Sequence, residues 1–282
     1  MTSETDGFPR IARPIASEHD EAFEIVGGDP RIGLVLIADH ASNRVPEDLA
    51  DLGLPETEFR RHIAYDIGVE GVTRSLARRL GAPAVISRFS RLVIDPNRGA
   101  DDPTLVMRLS DGAVVPGNAR IDEAGRRARI ERFWRPYDRA IGRVIDAAFA
   151  AGRPPVLFSL HSFTPIWRGR PRPWHCGVLW DADPRLPEIL LGHLRAEADL
   201  VVGDNEPYDG ALAGDTMWRH GTRRGLAHGI LEIRQDLIAE AAGIEAWAAR
   251  IAPILTEAAG RAELAETRLH GSRTGPVPAE PV

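Results

Sequence analysis

The chain has 282 residues, of which 43% are hydrophobic and 27% charged, and it carries a net charge of −6. That length suffices for one large domain or two small ones with an ample core, and the acidic balance gives no general surface for nucleic acid. Every basic residue is arginine and the only cysteine is Cys176, so a lysine nucleophile, a P-loop lysine, an intrachain disulfide and a thiolate-rich zinc site are all excluded.

Residues 1–16 are polar, contain acids and lack an apolar signal core. No apolar run approaches the ~20 residues that span a bilayer, so neither a membrane association nor any location but the cytoplasm is expected. Apolar runs at 33–40, 82–88, 91–95, 155–161, 176–180, 200–203 and 229–233 predict strands. Several lack polar alternation, as strands covered on both faces do. Helical periodicity runs through 58–80, with Ile63, Ile67, Val72, Leu76 and Leu80 near one face. It recurs in 122–151, through Ile130, Phe133, Tyr137, Ile141, Val144 and Ala148, and Pro136 is expected to kink that helix. Residues 186–197 and 244–269 predict two more helices.

Strands alternating with helices predict a layered α/β domain over 1–270 with a mostly parallel central sheet. Cys176 reads as a small residue opening one of its buried strands. Ligands of such sheets bind beyond the carboxyl ends of the strands, where His40 and His161 fall. The irregular stretches 99–120 and 164–174 are candidate lids. The Gly-, Pro- and Ser-rich tail 271–282 is expected to be disordered.

His40 follows its strand directly, in Asp39-His40-Ala41-Ser42-Asn43-Arg44-Val45-Pro46, and His161 has the same setting. A lone strand-end histidine reads as a cap or core residue; the pair favours metal ligands. A catalytic zinc site usually has three protein ligands and water, and the third ligand stays open. Asn43 is a poor substitute for a glutamate. His62, Asp66 and Glu70 are spaced by four, hence on one face of the predicted helix. Asp66, between apolar neighbours, is either a buried acid needing a partner such as a metal or part of a surface stripe. Asp39 is a ligand or an outer partner that orients a histidine.

Glu232 lies among Ile230, Leu231 and Ile233. Burial there raises a carboxyl pKa, which suits a base that later acts as an acid; the other reading is a structural pair with Arg234. Asn97-Arg98 opens a loop after Asp95, and an arginine fork suits a carboxylate. Arg88 and Arg91 lie just upstream. No Gly-x-Ser-x-Gly elbow is present, and Ser162 faces away from His161 on a strand, so a serine nucleophile is not supported. Nor does a Gly-x-Gly-x-x-Gly follow the first strand.

With these segments in place, joined by His62-Ile63-Ala64-Tyr65-Asp66-Ile67-Gly68, Ser90-Arg91-Leu92-Val93-Ile94-Asp95-Pro96-Asn97-Arg98, Asn205-Glu206-Pro207-Tyr208 and Glu232-Ile233-Arg234-Gln235-Asp236-Leu237, the chain resembles the N-formylglutamate amidohydrolase family over residues 34–237. That family is similar to the zinc carboxypeptidase and aspartoacylase group. The resemblance implies a three-layer α/β/α fold with a mixed sheet and a single zinc. His40 and His161 match two ligands, Asn97 and Arg98 a carboxylate-holding pair, and Glu232 the catalytic glutamate. Asn43 departs from the carboxypeptidase pattern, and Asp66 is the substitute for the missing ligand. The implied reaction is hydrolysis of a small acidic N-acyl amino acid, most simply N-formyl-L-glutamate. Arg91, Arg234, Asn43 and Tyr208 are further candidate substrate contacts, and His220 reads as structural. Two other readings are a zinc amidase for another N-acyl amino acid or short peptide, and a metal-free binding homologue.

Overall fold

A computed structural model describes residues 14–278; most of the polar N-terminal stretch and the last four residues lie outside them. An eight-stranded mixed sheet runs through the molecule. Its strands are β1 (Glu18–His19), β2 (Phe23–Val26), β3 (Leu34–Ala38), β4 (Ala84–Ser87), β5 (Val156–Phe163), β6 (Cys176–Leu179), β7 (Val202–Asp204) and β8 (His228–Arg234). The spatial order is β1-β2-β4-β3-β5-β8-β6-β7. β4, β3, β5 and β8 run parallel, while β2 and β6 pair antiparallel with β4 and β8.

The four longest helices are α1 (Val69–Leu80), α2 (Arg135–Ala150), α3 (Arg185–Ala196) and α4 (Ala241–Gly260). Strand alternation sorts the core into two halves. Leu34, Leu36 and Ala38 of β3 join Val72, Leu76, Leu190 and Trp247 from α1, α3 and α4. Val35 and Ile37 face the other way, toward Tyr137, Ile141 and Val144 of α2. Helices therefore cover both faces of the central strands, which explains the unbroken apolar runs. No helix among the described residues is long and apolar enough to cross a membrane.

The structure corrects several expectations. Residues 91–95 form turns, with Val93 N–H donating to the Ser90 carbonyl and Arg98 N–H to that of Asp95. Leu92, Val93 and Ile94 are fully buried, so the run is apolar because it is interior. The helix expected over 58–80 begins only at Val69. Gly68 precedes it at φ +84°, pressed against Ile238, and residues 56–60 form a 3₁₀ turn. His62 and Asp66 thus do not share a helical face with Glu70. The edge strand β1 and its neighbour β2 are not signalled, being only two and four residues long. Just before Pro136 the helix expected over 122–151 passes through a π-helical turn at Ile130–Trp134, closed by Arg135 N–H donating to the Ile130 carbonyl, and proline cannot donate the next helical hydrogen bond.

The stretch 99–120 holds a hairpin, Leu109–Ser110 with Ala113–Val114, and 164–174 holds a second, Ile166–Trp167 with Arg170–Pro171. In the segment for which the sequence predicts disorder, the Arg273 guanidinium donates to the Trp180 and Asp181 carbonyls and pairs with Asp209.

Asp138 of α2 accepts from Arg219 Nε at 2.8 Å and His220 Nε2 at 2.7 Å. Burial opposes ionisation there, but the His220 hydrogen bond and the Arg219 guanidinium outweigh it and hold the Asp138 carboxyl below its ordinary range. A depressed folded-state pKa stabilises above the unfolded value and is lost as pH falls through the folded one. Unfolding free energy should therefore decline from about pH 4 downward, by on the order of 2 kcal/mol. Chemical denaturation across pH 2–6 checks this: an Asp138→Asn variant that declines as steeply as wild type defeats it.

Candidate functional site

Parallel pairing of β3 with β5 sets their carboxyl ends side by side, and His40 lies two residues past the end of β3 while β5 carries His161. The two rings meet edge to face with centroids 4.9 Å apart. A backbone bond from Asp66 N–H to the His40 carbonyl, 2.8 Å, brings Asp66 to the same place. Asp66 Oδ2 lies 2.9 Å from His161 Nδ1 and 3.4 Å from His40 Nδ1. All three side chains are buried, with their ligand atoms within 4.8 Å of one another.

The opposite ring nitrogens are held by two more carboxylates. His40 Nε2 lies 2.7 Å from Asp95 Oδ1, and His161 Nε2 lies 3.2 Å from Asp39 Oδ2. Asp39 is itself fixed by the hydroxyls of Tyr137, Ser159 and Thr216 at 3.1, 3.2 and 2.7 Å. Imidazoles that give their Nε2 protons to carboxylates turn Nδ1 lone pairs toward Asp66. Two lone pairs facing a carboxylate in a buried space repel unless a cation or a proton sits between them. His40 Nδ1 is buried and has no hydrogen-bond partner among the described residues. At His161 burial works against the charged form, but its bonds to Asp39 and Asp66 outweigh that and raise its pKa well above the usual value. Two nitrogens, one carboxylate and orienting outer acids fit a divalent cation of the zinc type with a position left open.

Glu232 of β8 stands in register with His161 and is 7% exposed. Its Oε2 has no hydrogen-bond partner among the described residues, and burial pushes its pKa up to about 7. These groups open on a cavity of about 600 Å³ that also receives Asn97, Arg98, His62 and Tyr208. Burial lowers the His62 pKa to about 4, so this imidazole is neutral at pH 7.

Of the cavity's arginines, Arg60 pairs with Glu56, Arg61 with Glu58 and Asp111, and Arg91 with Asp66 and Asp95. The Arg98 guanidinium donates only to the Asn97 carbonyl and forms no ion pair among the described residues, although Asp95 and Asp215 are near enough to feel its charge. Asn97 is anchored through Thr216 N–H at 3.0 Å.

Two predicted substrate contacts lie elsewhere. Arg234 pairs with Asp236 at 2.8 Å, and Asn43 Nδ2 donates to the Phe59 carbonyl; neither lines the cavity. Ser162 donates its hydroxyl to Ile67, and His220 serves Asp138. Sequence reasoning missed Asp95 as the partner of His40, although a carboxylate ending the run Leu92-Val93-Ile94 was a usable signal. Nothing in the sequence marked Tyr137, Ser159 and Thr216 as supports of Asp39.

A family model described as N-formylglutamate amidohydrolase matches residues 32–239. The chain is 27% identical over 212 residues to an N-formylglutamate deformylase of Pseudomonas putida, covering 67% of this chain and 74% of that protein. The crystal structure of gene product Atu2144 from Agrobacterium tumefaciens superposes with a TM-score of 0.79 at 33% identity, covering 86% of this chain and 96% of that one. The N-formylglutamate amidohydrolase structure from Ralstonia eutropha JMP134 shares the fold, with a TM-score of 0.60, 23% identity and coverage of 86% and 98%.

Proposed function

Because the chain belongs to the N-formylglutamate amidohydrolase family and is a hydrolase of amide carbon–nitrogen bonds, we propose that it is a cation-dependent deformylase that converts N-formyl-L-glutamate and water to formate and L-glutamate. The observation that carries this reading is the convergence of His40, Asp66 and His161 beside Glu232 in one cavity. These three residues would hold the cation, and zinc suits their donor set. When bound, such a cation supplies Lewis acidity, which acidifies water and polarises a carbonyl.

The chain's own residues do the rest. Glu232 accepts a proton from water as the new carbon–oxygen bond forms at the formyl carbon. It returns that proton to the glutamate nitrogen as the carbon–nitrogen bond breaks. A carboxyl with a pKa near 7 can serve in both directions. Asn97 and Arg98 hold one carboxylate of the substrate, since Arg98 is the cavity arginine that forms no ion pair among the described residues. Arg91, paired with Asp66 and Asp95, keeps those acids in place.

The test is formate release from N-formyl-L-glutamate by the zinc-loaded protein, with Arg98→Met beside it. Losing a charge-assisted carboxylate contact is worth about 1.5–3 kcal/mol, so KM should rise about 10–100-fold. No formate release by wild type, or an unchanged KM in the variant, counts against this assignment.

A further inference from the structure

Arg172 follows the Arg170–Pro171 strand of the second hairpin and is only 9% exposed. Its guanidinium packs against the rings of Tyr208, Trp167 and Phe163, with centroids at 5.0, 5.3 and 5.5 Å. Nη1 donates to the Tyr208 hydroxyl at 3.0 Å and approaches Thr164 at 3.5 Å. Among the described residues no carboxylate lies within ion-pair distance of Arg172, and its Nε and Nη2 make no hydrogen bond. A buried cation without a counter-charge is costly, and aromatic faces offset only part of that cost. Three of its neighbours, Thr164, Trp167 and Tyr208, line the cavity. The charge therefore sits one side chain behind the wall.

The tyrosine carries that charge to the surface of the cavity. A phenol oxygen that accepts from a guanidinium turns its own O–H away from it. The Tyr208 proton has no acceptor among the described residues, and the side chain faces the cavity. A carboxylate receiving that proton lies within a few ångströms of the guanidinium and completes the ion pair that the fold leaves open.

We propose that Tyr208 and Arg172 form a second carboxylate subsite, which receives the carboxylate of a dicarboxylic N-acyl amino acid that Asn97 and Arg98 do not hold. This rests on the deformylase reading for its ligand, and it makes the enzyme selective for acidic side chains. Tyr208 is the contact, and Arg172 is the positioning residue that orients its hydroxyl and supplies the charge.

The experiment is calorimetric binding of glutarate and of its monoamide to the zinc-loaded protein, read as a ratio of dissociation constants. Wild type should prefer glutarate by about 10–100-fold, the usual weight of a charge-assisted pair. In Arg172→Met the ratio should collapse toward one, and in Tyr208→Phe it should drop at least about threefold. A ratio that survives in Arg172→Met, including the case where both ligands weaken by one factor, means that the aromatic stack only pins the hairpin and overturns the subsite. If Arg172→Met does not fold, Tyr208→Phe decides alone, since it removes a single hydroxyl; an unchanged ratio there also overturns it. Formate release by wild type with no glutarate preference removes the subsite and leaves the deformylase standing. A glutarate preference lost in the variants, without formate release, does the reverse.

Discussion

Glu232→Gln should lower kcat for N-formyl-L-glutamate by about 10³–10⁴-fold, the upper range for a positioned acid–base group, while KM stays within a few-fold. The carboxylate is buried in register with His161, and its Oε2 lacks any hydrogen-bond partner. Nothing structural depends on that oxygen. Glutamine keeps the volume and removes the ability to accept a proton. It also removes a group whose charged form burial already disfavours, with a pKa pushed to about 7. The thermal midpoint of the variant should accordingly match or exceed that of wild type. Substrate affinity persists because the carboxylate contacts lie on Arg98 and, by the inference above, on Arg172 with Tyr208. Steady-state kinetics with calorimetric melting separates the effects, and activity within tenfold of wild type would remove Glu232 from the reaction.

Asp66→Asn should cost the protein its cation and most of its turnover together. Asp66 Oδ2 stands between the two imidazoles, 3.4 Å from His40 Nδ1 and 2.9 Å from His161 Nδ1, and a neutral amide replaces the only anionic member of that trio. Loss of the several kcal/mol that a bound cation contributes to the transition state corresponds to at least about 10³ in rate. Zinc titration of chelator-treated protein should show affinity lowered by more than about 100-fold. Asp39→Asn touches the trio only through His161 Nε2 and should weaken zinc by about 10–100-fold, as outer partners of metal ligands do. That ranking is the informative outcome. Equal zinc affinity in wild type and Asp66→Asn, or full activity after chelation, would dismiss the cation from the mechanism. Zinc should also raise the thermal midpoint of wild type, because a ligand that binds only the folded state stabilises it by mass action.

How far the fold can be read from the chain depends on how local the deciding force is. β3, β5 and β8 are legible because each is an apolar run of strand length between turn signals, and interior strands need nothing else. The same rule misreads 91–95, whose burial is equal but whose backbone turns. Burial alone does not specify a conformation. The start of α1 is misjudged because periodicity continues back through Ile67 and Ile63, whereas the backbone is diverted at Gly68, where φ is +84°. The pair β1–β2 is invisible because strands of two and four residues are too short for a pattern to register.

Among the site residues, chain position identifies His40, His161 and Glu232 as polar groups at or near strand ends, and strand parallelism is enough to predict that such ends meet; Asn97 and Arg98 reach the same cavity from the turns that follow Ser90. The sequence by itself thus determines a layered α/β molecule with polar chemistry gathered at one edge of its sheet, because hydrophobic periodicity and strand-end placement act over a few residues. Only the tertiary structure decides which polar group faces which. It sets Asp66 between the imidazoles through a backbone bond to His40, backs one ring with Asp95 and the other with Asp39, and turns Arg234 toward Asp236. It also leaves Arg98 and Arg172 without an ion pair among the described residues. Electrostatic partners are chosen by proximity in space, and residues 40, 66, 95 and 161 acquire theirs only when the loops between them close.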